Sequence, residues 1–256
     1  MHQDILQDKI LQAKQQGRKA LIPYLPAGFP GLDAFWQELR ALDQAGADII
    51  EIGVPFTDPV ADGPVVEEAA QECLDRGVSL CWILEGLRTH RDQLQAGIVL
   101  MGYTNPFVQY GWEKLALDAA QAGVQGIIVP DLPLEEDHEV KGLLAEQGIT
   151  LISLVGLNTS PERMQAYASR ASGFVYFVSV MGTTGARKDL PPLLMQQLRQ
   201  AREIFSQPLA LGFGLSSPDQ IKDLDNTVDA VVFGSALIQH LRSGGSSQEF
   251  LQKWRP

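Results

Sequence analysis

Eight short apolar segments recur along this chain, at 20–25, 48–53, 97–101, 126–129, 149–155, 174–180, 209–212 and 229–234. Each is rich in Val, Ile, Leu or Phe. Most are continuously apolar rather than alternating, the pattern of strands buried on both faces. Between them lie helix-length stretches with apolar residues three and four apart, as at Phe35, Leu39 and Leu42, and at Leu193, Leu194, Leu198 and Ala201. Helix starts are marked by Ser160-Pro161-Glu162 and Ser217-Pro218-Asp219-Gln220, a capping Ser followed by Pro at the first helical position. Helix ends are marked by Gly46, Gly123 and Gly148, each leading into an apolar run. Eight strands alternating with about eight helices predict an α/β fold, a closed (β/α)8 TIM barrel. One domain is expected over 1–256, with an extra N-terminal helix within 1–17 closing its bottom. A doubly wound open sheet is the competing arrangement, but it places its Gly-rich phosphate loop after the first strand. Here the first strand runs into Pro26-Ala27-Gly28-Phe29-Pro30, and the Gly-rich pieces lie near the other end of the chain.

Composition closes off several classes. The formal net charge is −11, against the basic footprint that a nucleic acid demands. A small anionic substrate stays open, because backbone amides bind phosphate without net positive charge. No run approaches the ~18 apolar residues of a membrane helix, and the polar start of the chain is neither signal nor transit peptide. A soluble, cytoplasmic protein is expected, with no membrane partner. The two cysteines, Cys73 and Cys81, fit no zinc or redox spacing and are expected to be buried free thiols. His2, His90, His138 and His240 are scattered and expected at surface or boundary positions, so no metal site is predicted.

The chemistry concentrates in one segment, Glu51-Ile52-Gly53-Val54-Pro55-Phe56-Thr57-Asp58-Pro59-Val60-Ala61-Asp62-Gly63-Pro64. Glu51 lies near the C-terminal end of the second strand, where barrel active sites form. Asp58 and Asp62 follow in a loop with three prolines and two glycines. Turn chemistry alone accounts for an isolated Asp, but it does not require an acid at a strand end, where a buried charge is costly. Asp131, in Val129-Pro130-Asp131-Leu132-Pro133, is a third rim carboxylate, read equally as a helix cap or loop brace and as a direct participant.

Three Gly-rich pieces are candidates for a phosphate cradle: Gly182-Thr183-Thr184-Gly185-Ala186-Arg187, Gly212-Phe213-Gly214-Leu215-Ser216-Ser217, and Gly234-Ser235 opening the last strand-linked helix. Tyr24, Met101, Tyr103, Ile128, Tyr176 and Phe213 fall at strand ends, where they wall an apolar pocket or simply fill the core. No strand carries a Lys, so Schiff-base chemistry is disfavoured. No Ser or Cys sits on a nucleophile elbow. Carboxylate acid–base chemistry on a phosphorylated small molecule remains.

These motifs, with Leu100-Met101-Gly102-Tyr103-Thr104-Asn105-Pro106, resemble those of the tryptophan synthase alpha chain family over essentially the whole length. The resemblance implies a lyase of tryptophan biosynthesis that cleaves indole-3-glycerol phosphate to indole and glyceraldehyde 3-phosphate by a retro-aldol reaction. Carried over by position, Glu51 is the catalytic acid–base group and Asp62 holds the indole N–H. Gly185, Gly214, Gly234 and Ser235 bind the phosphate. Tyr24, Met101, Ile128, Tyr176 and Phe213 form the indole pocket. Asp58, Asp131 and Thr184 belong to loops that couple the site to a partner. The implied partner is a beta subunit in a heterotetramer of two alpha and two beta chains. Pyridoxal phosphate is expected in that partner, and no cofactor in this chain.

Three positions depart from the family's usual phrases: Leu25-Pro26-Ala27, Glu67, and Val155-Gly156-Leu157-Asn158. None is expected to touch Glu51 or Asp62, and the first two are expected to bear on subunit coupling rather than chemistry. A stand-alone lyase releasing free indole, a catalytically weak activator of a partner, and an isomerase or epimerase on another sugar phosphate are the competing readings. The segments at 54–64 and 182–190 are expected to stand open in the isolated chain, leaving Asp62 poorly placed.

Overall fold

The computed structural model describes residues 4–179, 192–212, 217–222, 224 and 226–255. Its strands are β1 (Ala20–Pro26), β2 (Ile49–Gly53), β3 (Gly97–Met101), β4 (Gly126–Ile128), β5 (Thr150–Leu151), β6 (Ser153–Gly156), β7 (Val175–Val178), β8 (Leu209–Gly212) and β9 (Ala230–Phe233). All pairings are parallel, in the order β5-β4-β3-β2-β1-β9-β8-β7-β6. The two ends of that order, β5 and β6, are halves of one strand separated only by Ile152. The predicted fifth strand is therefore a single barrel stave with a break, and the sheet closes on itself through the chain. Ile152 still donates its N–H to the Ile127 carbonyl at 2.9 Å, so the break costs the ladder little.

Helices clothe the barrel where the sequence periodicity put them. The glycine signals hold at three helix ends, where Gly46, Gly123 and Gly148 adopt φ of +92°, +77° and +73°. That left-handed region admits glycine without a Cβ penalty. Ser160 caps the helix Pro161–Ala168 through Arg163 N–H, as predicted. The helix after Ser217-Pro218 is only four residues long, Asp219–Lys222.

The N-terminal helix α1 (Ile5–Gln15) plugs the bottom of the barrel, as expected. Its Leu6 is fully buried, and a Cβ on either Gly97 or Gly126 would strike the Leu6 side chain at 2.8 Å or 2.7 Å. Those two glycines, at the starts of β3 and β4, leave the space that the plug fills. Asp4 caps α1 through Leu6 and Gln7 N–H and accepts from Thr150 Oγ1 at 2.8 Å, fastening the plug to β5. Strand alternation then assigns faces. The Cβ built on Gly97 also meets Ile49, which places Ile49, Glu51 and Gly53 on the inner face of β2.

The described strands carry one charged residue, Glu51, and no Lys. No helix among the described residues is long and apolar enough to cross a membrane. Of the two free thiols, Cys73 is buried as expected, but Cys81 is exposed. Helical periodicity places Cys81 on the outward side of its helix, beside the inward Leu80, Ile83 and Leu84.

Candidate active site

Glu51 lies on the inner face of β2 and is the one charged side chain on the described strands. Its neighbours in register are Tyr24 on β1 and Val99 on β3. The carboxylate is 3% exposed, and its Oε2 is buried with no hydrogen-bond partner. An ionised carboxylate so placed loses hydration and gains nothing in exchange. Burial, with the nearby charge of Asp62 adding to it, pushes Glu51 up to about 8. At neutral pH the group is mostly protonated, the state of a general acid.

Asp62 arrives from the loop between β2 and the helix α3 (Pro64–Asp75), yet it is buried. Its Oδ2 accepts a hydrogen bond from the Tyr103 hydroxyl at 3.0 Å. The same hydroxyl accepts from Ala61 N–H at 3.1 Å. Burial raises Asp62 to about 6, opposed by the Tyr103 bond and assisted by the negative charge of Glu67. Two carboxyls thus sit in one mouth with different proton affinities, one favouring the acid form and one the anion at pH 7. The loop is therefore folded in around Asp62, not open as the sequence suggested. A buried tyrosine supplies the partner that 41 residues of separation hid.

Tyr24, Met101, Ile128 and Tyr176 are all buried; Tyr24 is in register with Glu51, Met101 with Gly53, and Ile128 with Met101. Glycines make room for the two tyrosines. A Cβ on Gly53 would meet the Tyr24 hydroxyl, and one on Gly212 the Tyr176 ring, each at 2.2 Å. Burial raises both phenols well above their ordinary range, with Glu51 and Asp62 adding to the effect. Gly234 and Ser235 stand where the helix α11 (Ser235–Arg242) begins, and Gly234 abuts the Tyr24 ring. An anion at this helix start would lie next to the acid-bearing mouth. Thr184, Gly185, Phe213 and Gly214 lie outside the described residues.

Asp58 is exposed on the loop and accepts from its neighbour Thr57 Oγ1 at 2.6 Å. Asp131 is also exposed. Its Oδ1 accepts from Thr104 N–H at 2.9 Å and Thr104 Oγ1 at 3.0 Å, at the start of α5 (Thr104–Tyr110). The loop-brace reading of Asp131 is the one this geometry fits. Tyr103 is the residue whose part was underread, since a strand-end aromatic gives no sign of what its hydroxyl meets. No cluster of metal-ligating side chains occurs among the described residues.

A closed parallel barrel with an apolar mouth, two carboxyls of unlike affinity and a helix start beside them defines a (β/α)8 enzyme of the acid–base type. The family model of the tryptophan synthase alpha chain matches residues 10–254, and the chain belongs to that family. It is similar to the tryptophan synthase alpha chain of Solidesulfovibrio magneticus, at 57% identity over 255 residues covering 100% of both chains. Among solved structures it is similar to the tryptophan synthase of Mycobacterium tuberculosis, with a TM-score of 0.89 and 33% identity over 97% of this chain and 96% of that one. The tryptophan synthase complex of Pyrococcus furiosus gives a TM-score of 0.84 at 37% identity, covering 91% and 95%.

Proposed function

We propose that Glu51 and Asp62 divide the work of a retro-aldol cleavage between them, on indole-3-glycerol phosphate. The chain is a carbon–carbon lyase of tryptophan biosynthesis, making indole and glyceraldehyde 3-phosphate. The observation that carries the residue roles is the buried Glu51 carboxyl with an unpartnered oxygen at the barrel mouth. In the acid form, Glu51 gives its proton to the indole ring carbon that bears the glycerol chain. Positive charge then develops at the ring nitrogen, and the Asp62 carboxylate accepts a hydrogen bond from that N–H. Glu51, now ionised, takes the proton from the adjacent glycerol hydroxyl. The carbon–carbon bond breaks, its electron pair returns to the ring, and the hydroxyl carbon becomes the aldehyde. Glu51 ends protonated, ready for the next cycle. Tyr24, Met101, Ile128 and Tyr176, with Phe213, form the apolar wall for the indole.

Gly234 and Ser235, with Gly185 and Gly214, hold the phosphate through backbone amides and the helix start. Ser235→Asp is the cleaner test of this, because a Cβ on Gly234 would press on Tyr24 and disturb both halves of the site. Ser235→Asp is expected to weaken glyceraldehyde 3-phosphate binding about 10- to 100-fold by charge repulsion while leaving indole binding nearly unchanged. Titration of each product decides it, and equal losses would remove the phosphate assignment.

We place the chain, as one barrel domain, in the cytoplasm beside a beta subunit that carries pyridoxal phosphate. The mouth and its loops form the face offered to that partner, with Asp58, Asp131 and Thr184 as the coupling positions. The Pyrococcus furiosus neighbour is a complex of alpha and beta subunits, which supports this reading. Indole is small and apolar, so delivery to a partner avoids losing it to solvent. Indole release from indole-3-glycerol phosphate, measured with increasing beta subunit, tests both parts. A saturable rise of ~100-fold corresponds to about 2.7 kcal/mol of coupling, within the usual range. A fast chain indifferent to the partner would overturn the coupling, and no indole at all would overturn the activity.

A further inference from the structure

The segment 55–63 is a loop of the active-site mouth with few ties to the barrel. Its tip is open to solvent: Val60 is 80% exposed, and Thr57 and Asp58 are exposed beside it. The following helix α3 begins at Pro64 with Gly63 as its cap and no capping side chain. Within the loop, Asp62 N–H reaches only the Pro59 carbonyl, at 3.2 Å. Apart from the Gly63 carbonyl, which accepts from Val66 and Glu67 N–H in the first turn of α3, the Tyr103 hydroxyl makes, among the described residues, the only hydrogen bonds that tie 55–63 to the rest of the barrel. The ring of Phe56 adds the one aromatic contact, 5.4 Å from the Tyr103 ring.

Tyr103 is itself fixed. It is 2% exposed, directly after β3, and its neighbour Thr104 is held by Asp131 from the next loop. A rigid hydroxyl therefore faces a weakly anchored loop, accepting from Ala61 N–H and donating to one oxygen of Asp62.

We propose that Tyr103 is a positioning residue whose hydroxyl latches the 55–63 loop inward and fixes the orientation of Asp62 for the indole N–H. It does not touch the reacting atoms. It rests on the reading of Asp62 given above and acts through that carboxylate. The latch also has an electrostatic side. Asp62 is faced by Glu51 from β2, Tyr24 from β1, Tyr176 from β7, Tyr103 after β3 and Glu67 from α3. Of these, Tyr103 favours the anion, by donating to it, whereas Glu67 disfavours it.

The test compares Tyr103→Phe, Asp62→Asn and the double variant in steady-state cleavage of indole-3-glycerol phosphate. Thermal denaturation of each full chain checks folding. A hydrogen bond to a charged group is worth enough for a ~10- to 100-fold effect. Tyr103→Phe should lower kcat by that factor with little change in KM. The acid limb of its pH–rate profile should move to higher pH, because Asp62 loses the donor that favours its ionised form. The double variant should be no slower than Asp62→Asn alone. Fluorotyrosine at 103, a stronger donor, should move the limb the other way, and it serves as well if the Phe variant folds poorly. Unchanged kcat in Tyr103→Phe, or losses that multiply in the double variant, would overturn the latch while leaving Asp62 its role. Normal turnover by Asp62→Asn would remove the assignment of Asp62 itself, and the latch with it.

Discussion

Two pairs of acids occupy opposite ends of the same barrel, and they are treated in opposite ways. At the bottom, Asp48 takes both guanidinium nitrogens of Arg18, at 2.7 Å and 2.8 Å, and Leu21 N–H at 2.9 Å. Asp229 takes Lys14 at 2.7 Å, Arg202 at 2.9 Å and Leu209 N–H at 2.9 Å. At the mouth, Glu51 has an orphaned oxygen and, among the described residues, no cation, and Asp62 has a single phenol. Asp48 and Glu51 are three residues apart in one apolar run; position along β2 sets Glu51 at the mouth end, but neither composition nor strand pattern shows which of them finds a cation. A cleft of about 600 Å³ does open at the bottom, lined in part by Lys14, Arg18, Asp229 and Trp254, but Asp229, the acid in that lining, is already paired. What separates the ends is the supply of partners. Bottom acids knit strand starts to α1 and to the helix Pro192–Ile204, and they hold the fold. Mouth acids are left with unmet affinity, which is what a substrate can use.

The largest break in that contrast is Glu51→Gln. On the proposed mechanism it removes the group that both gives and takes the proton, so turnover should fall by ~10⁴-fold, the upper end for one acid–base group. Its effect on stability should have the opposite sign. The folded state raises Glu51 from its ordinary 4.5 to about 8, so it binds the proton more tightly than the unfolded chain does. Stability is therefore lost as pH rises through that window and is fully present below it. The variant cannot ionise, and it should be more stable than the parent at pH 8 by about 1–4 kcal/mol, with the gap closing near pH 4.5. Denaturant melts at the two pH values measure this, and a variant less stable at pH 8 would refute the strain.

Asp229→Asn asks the same question at the other end. Removing a buried acid from its cations should cost ~3–5 kcal/mol, read as a lower denaturation midpoint. Turnover below the melting range should stay near the parent value. A variant that keeps its stability but loses its rate would erase the division between the two ends.

Glu67→Gln is the smallest and most discriminating change. The proposed mechanism requires Asp62 ionised and Glu51 protonated, so kcat/KM should peak between about 6 and about 8. Glu67 raises Asp62, so its neutralisation should move only the acid limb, and downward, by a few tenths of a pH unit by the Coulomb scale for a solvent-facing charge. Movement of the basic limb instead would mean that the two limbs are assigned to the wrong carboxyls.

Much of this was legible in the sequence because it depends on local chemistry. Continuous apolar runs gave the staves, helix-ending glycines gave the turns, and Glu51 stood out as an acid inside a strand. The plug at the bottom was legible as an extra helix before the first stave. Not legible were the break at Ile152, the outward side of Cys81, and the partner of Asp62. These depend on where separate segments meet. A residue's propensity carries its own torsions and its own polarity, and these the sequence determined alone. Whether Asp48 finds an arginine, Glu51 finds nothing and Asp62 finds the hydroxyl of Tyr103 was decided only when the barrel closed, because hydrogen bonds and desolvation act over a few ångströms of space and take no account of distance along the chain.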